Sequence, residues 1–111
     1  MWLVRDGDVL ATVEVAERFA DRHRGLLGRE VIEGALVIRP CRQVHTFGMR
    51  IPIDVAFCDR EGRVLRTMTL RPWRISPVVW RSTMAVEASA GAFERWRLRE
   101  GDRIEVRGPC R

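Results

Sequence analysis

Residues 50–59 read RIPIDVAFCD, and no other stretch constrains the fold as tightly. Ile51, Ile53, Val55 and Phe57 fall on one side of an extended chain, and Pro52, Asp54, Ala56 and Cys58 on the other. A period of two is the signature of a strand, whereas a helix would repeat every three to four residues. Asp59-Arg60-Glu61-Gly62 follows as a turn, with Gly62 free to take positive φ, so Arg63 to Leu70 should return as a hairpin partner.

Further strands fit around this hairpin. Val9 to Val15 is short and β-branched, and Ala35 to Ile38 stops at Arg39-Pro40, because proline cannot donate to a ladder. Thr83 to Ala88 is another candidate, and Arg103 to Arg107 alternates polar and apolar after the turn at Glu100-Gly101-Asp102. Two short helices interrupt them. Ala16, Phe19, Ala20, His23 and Leu27 recur at helical spacing up to Gly25 or Gly28. The second runs over Ala90 to Arg97, with Ser89 as its cap and Phe93 and Trp96 facing inward. Six or so strands spaced too tightly for repeated βαβ units predict an α+β, β-rich chain. The expected architecture is an antiparallel sandwich or partly open barrel with two short helices.

At 111 residues the chain has the size of one domain spanning 1–111, and it can fold without a staple. No apolar run approaches the roughly 20 residues of a membrane span, and residues 1–6 lack the pattern of a secretion signal. Cys41, Cys58 and Cys110 form an odd set without CxxC spacing, so neither a disulfide framework nor a cysteine metal site is expected. The expected compartment is the cytoplasm. Cys58, inside the apolar strand, reads as a core thiol.

The net charge of +5 is unevenly distributed. All 20 basic residues are arginine, and residues 60–82 hold six of them against Glu61 alone. That stretch also contains Trp73 and Trp80. Arginine interleaved with tryptophan suits phosphate contact and base stacking on a single strand. The competing expectation is that both indoles, with Trp2 and Trp96, pack inward beneath arginine stems. Pro72 and Pro77 favour the latter, so nucleic acid is not the expected partner.

Residues 41–54, CRQVHTFGMRIPID, concentrate the unusual chemistry. Asp54 lies between Ile53 and Val55, where a carboxylate must be paired, hydrogen-bonded or open to a cleft. Main-chain N–H groups or an arginine could hold it structurally. Alternatively, Asp54 emerges beside His45, and the two act as acid and base. Cys41 with His45 would make only half a metal site, and His23 sits on a helix stripe. The chain has no Walker loop, GxGxxG, GxSxG or HExxH. No cofactor and no metal are therefore expected.

These residues resemble a known family. VHTFGMRIPIDVAFCDREGRV, with RHRGLLGRE upstream and LRPWR and AVEASAGAFERWRLREGDRIEV downstream, is similar to the domain of unknown function number 192 over roughly Leu10 to Val106. The HTFGMR string resembles one subgroup, since the central loop of relatives is commonly richer in Trp and Lys. The resemblance implies a small β-rich domain of bacterial and archaeal distribution with no assigned reaction, and many relatives look exported. Family-typical positions include Gly25, Gly28, His45, Phe47, Met49, Pro52, Asp54, Phe57, Gly62, Glu87, Gly91, Gly101 and Asp102.

The expected function is a non-enzymatic binding or accessory module. Its cleft would gather His45 and Asp54 with Met49, Arg50, Trp73 and Arg74, and its partner would be an anionic small molecule or an acidic protein surface. The alternatives are a small hydrolase or lyase using His45 and Asp54, and nucleic-acid binding through 60–82.

Overall fold

The computed structural model describes residues 1–16 and 34–108. Most of the helix expected after Ala16, with His23, Gly25 and Gly28, and the tail around Cys110 lie outside them. The described residues form strands β1 (Trp2–Arg5), β2 (Asp8–Ala16), β3 (Ala35–Ile38), β4 (Ile53–Cys58), β5 (Val64–Leu70) and β6 (Met84–Ser89). Helix α1 (Ala92–Trp96) and strand β7 (Ile104–Arg107) complete them.

The first hairpin has a local cause. Arg5 pairs with Asp8 across Asp6 and Gly7, which take φ of 51° and 85°. Positive φ at both central residues defines the tight turn whose twist matches antiparallel strands. Strand β1, which the sequence reading omitted, is too short to display alternation, although the Asp-Gly pair was its legible signal.

The seven strands lie in the order β5-β4-β6-β3-β2-β1-β7. Every neighbouring pair is antiparallel except β2 and β3, which run parallel from Val13↔Ala35 to Ala16↔Ile38. That one pair makes the sheet mixed within the expected β-rich architecture. A parallel pair needs a crossover of a dozen or more residues, and the stretch after Ala16 is long enough to supply one.

The two outer strands meet at a single corner. Val64 N–H donates to Asp102 O at 2.7 Å, Gly101 N–H to Val64 O at 2.8 Å, and Ile104 N–H to Gly62 O at 2.9 Å. The sheet therefore curls into a partly open barrel without closing along its length. Gly62 has φ of 84°, and a Cβ there would lie 2.0 Å from Ile104 O, so only glycine fits this corner.

All six residues of β4 are buried, and their alternation feeds two cores. Ala56 and Cys58 join Leu3, Val37, Val64, Val86, Phe93 and Ile104 inside the barrel, beneath α1. Ile53, Val55 and Phe57 join Leu36, Ile38, Val44, Met49, Leu70 and Ala85 on the outer face. Burial and the adjacent Asp59 push the Cys58 thiol up to about 12, an inert core cysteine.

Helix α1 starts two residues later than expected, and Ser89 does not cap it. Gly91 takes the N-cap position in a left-handed conformation and supplies no side-chain acceptor.

Candidate functional site

Asp54 accepts three hydrogen bonds within the fold. It is 4% exposed and lies on the barrel side of β4, with the parity of Ala56 and Cys58. Its Oδ2 accepts the Gly91 N–H at 2.9 Å and the Phe93 N–H at 3.2 Å. Its Oδ1 accepts the Thr69 hydroxyl at 2.7 Å from the neighbouring strand. Because Gly91 has no side chain, Asp54 supplies from another strand the acceptor that a capping residue would normally provide.

His45 occupies the other side. Its loop, residues 39–52, covers the outer face of β4, burying Val44 and Met49 against Ile53, Val55 and Phe57. The imidazole is exposed, and its Nδ1 accepts the Phe47 N–H at 3.2 Å. The sheet therefore separates His45 from Asp54, and no hydrogen bond or ion pair joins them. The expected acid–base pair and the expected cleft containing both residues are not formed. Strand parity within β4 does not report on which side of the sheet the preceding loop folds.

A second loop, residues 71–83, lies against the first. Thr46 binds the two together: its buried hydroxyl donates to Arg71 O at 2.6 Å and accepts the Arg74 N–H at 2.9 Å. Thr46 N–H donates to Arg74 O at 2.8 Å, and Trp73 N–H donates to Thr46 O at 2.9 Å. Further along, Ser76 Oγ accepts the Val44 N–H at 3.0 Å, and Ser82 Oγ donates to Cys41 O at 2.7 Å. Small hydroxyl residues thus take the inward positions, replacing the sheet ladder that proline-containing loops cannot make.

The outward positions are aromatic and aliphatic. His45 and Phe47 stack with centroids 5.0 Å apart, and Trp73 tilts against Phe47 at 6.3 Å. Trp73 is 65% exposed and Trp80 74%, which corrects the expectation that both pack inward. Trp2 is also half exposed, whereas Trp96 packs against Phe93 one turn back on α1. Trp73 has φ of 62°, a region where a bulky side chain is an outlier costing about 1–3 kcal/mol. Ile75, bridged to His45, is likewise exposed.

Of the expected binding residues, Arg50, Trp73 and Arg74 are exposed, while Met49 is buried and supports the loop from below. Phe47, Thr46 and Ile75 were not singled out as site candidates. Their signal was the alternation Val44-in, His45-out, Thr46-in, Phe47-out, which inverts the usual polarity. Residues 41–50 and 71–82 together carry Arg42, Arg50, Arg71, Arg74 and Arg81 and no carboxylate. Among the described residues no cluster of three His, Cys, Asp or Glu could hold a metal ion, and no helix is long and apolar enough to cross a membrane.

A partly open β-barrel with a loop-borne aromatic and arginine face defines the class of scaffold. Residues 2–106 match the family described as an uncharacterised ACR, domain of unknown function 192, and the chain belongs to it. It is 32% identical over 98 residues to a UPF0127 protein of Pyrococcus abyssi, covering 84% of each chain. Identity to a UPF0127 protein of Pyrococcus horikoshii is also 32%, over 84% of this chain and 85% of that one. Two solved structures share the fold. A putative transcription regulator of Sinorhizobium meliloti superposes with TM-score 0.77 at 21% identity, over 94% of this chain and 89% of that one. A protein of unknown function from Novosphingobium aromaticivorans gives 0.74 at 20%, over 85% and 74%.

Proposed function

We propose that this chain is a non-catalytic binding module that recognises an anionic partner through the face built by residues 39–52 and 71–83. The observation that carries the reading is Trp73, held in a strained left-handed conformation with two thirds of its surface in solvent. A folded chain retains such strain where the exposed group is used. Five arginines without a carboxylate in residues 41–50 and 71–82 supply the charge, and the His45–Phe47–Trp73 cluster supplies apolar contact. Arg and Trp are also the residue types that dominate binding energy at interfaces.

Elution from immobilised poly-L-glutamate under a salt gradient tests this. The double variant Arg71→Gln/Arg74→Gln should elute at clearly lower salt than Arg95→Gln/Arg99→Gln, which removes equal charge in and just after helix α1, on the opposite face of the sheet. Identical elution of the two would show that only net charge matters and would remove the proposed face.

A further inference from the structure

We infer that the anionic partner is single-stranded nucleic acid, with bases stacked on Trp73 and Trp80 and phosphates held by the loop arginines. This rests on the binding reading above and adds the partner's chemistry.

Two indoles expose most of their surface on one irregular loop, with Phe47 and His45 extending the aromatic surface beside Trp73. An acidic peptide would satisfy the guanidinium groups but has no flat ring to lay on these side chains. A single strand offers both, a π-face on every base and a charge on every phosphate. Six residues lie between the two indoles, so the backbone joining them spans no more than about 25 Å, the reach of a few nucleotides. Site sizes on small β-barrel readers start at about four nucleotides.

Trp80 also has a setting of its own. It shares a surface depression of about 420 Å³ with Arg42, Arg60 and Arg81. Asp59 and Glu61 line the same depression, but Asp59 Oδ1 already accepts the Glu61 and Arg63 N–H groups at 3.0 and 2.9 Å. Three arginines outnumber the two carboxylates there, so the depression keeps a positive balance beside an exposed indole and suits one base and its phosphate. Pro72 and Pro77 within the loop keep the chain from joining a regular ladder, and both indoles stay mostly exposed.

The experiment is a fluorescence anisotropy titration of a labelled twelve-residue oligothymidylate, repeated with oligouridylate and with labelled poly-L-glutamate. The wild-type chain should bind the oligonucleotides, with a log–log salt slope between about −2 and −3.5 for three to five phosphate contacts. Trp73→Ala and Trp80→Ala should each weaken oligonucleotide affinity at least about fivefold. Trp2→Ala, exposed on β1 outside the loops, should not. Both loop indoles are exposed, so the variants are expected to fold, and circular dichroism confirms it. Poly-L-glutamate binding with oligonucleotide affinity unmoved by either loop variant would overturn the nucleic-acid inference and leave the anionic face standing. No binding to any of the three probes would overturn both.

Discussion

Asp54 carries three hydrogen bonds, and each donor is distant in sequence: Thr69 by 15 residues, Gly91 by 37 and Phe93 by 39. The strand pattern required that a carboxylate between Ile53 and Val55 be satisfied, and that requirement was legible. The donors were not, because they come from a neighbouring strand and from the first turn of a helix that packs across the barrel. Replacing Asp54 by alanine would leave two main-chain N–H groups and a hydroxyl without an acceptor in a nearly dry site. We expect a loss of about 2–3 kcal/mol, with Asp54→Asn losing less because its carbonyl can still accept. Urea midpoints of the two variants check this, and an unchanged midpoint for the alanine variant would contradict the capping role.

At the scale of elements, the central hairpin was readable because both partners alternate and a glycine-bearing turn joins them. The short loops were not. Their regularity lies in which residues face inward, and at Thr46 and Ser76 these are hydroxyls, which hydropathy scores as surface. The same inversion sends Phe47 and Trp73 outward, so a rule that places aromatic side chains inside fails at the proposed binding face. Thr46→Val keeps the volume and removes the hydroxyl that ties residues 39–52 to 71–83. It should cost about 1–3 kcal/mol by leaving main-chain groups unpaired. It should also speed hydrogen exchange at Trp73 and Arg74 while leaving β4 amides protected, and equal protection in both loops would rule out the staple.

Over the whole molecule, one buried acid sets a pH dependence. Glu87 lies on β6 opposite Leu36 and Val55, residues of the outer core, and burial pushes its carboxyl up to about 7. The folded chain thus holds a proton that the unfolded chain releases near 4.5. The stability this confers is complete below pH 4.5 and is lost as pH rises towards 7. Across that window the change is about 3 kcal/mol. Chemical denaturation of wild type and Glu87→Gln at pH 4.5 and 7.5 checks the sign. The wild type should lose stability relative to the variant at the higher pH, and a constant difference between them would refute it. Nothing in the strand pattern of residues 83–88 announced this, since a single acid in an alternating segment reads as solvent-facing.

Strand β4 is a party wall between two rooms. Because its odd side chains support the loops and its even ones line the barrel, a substitution at Val55 should be felt by whatever the loops grasp, whereas one at Ala56 should stay within the barrel. Alternate positions of one strand can therefore vary beneath the proposed binding face while the container that carries it keeps its shape.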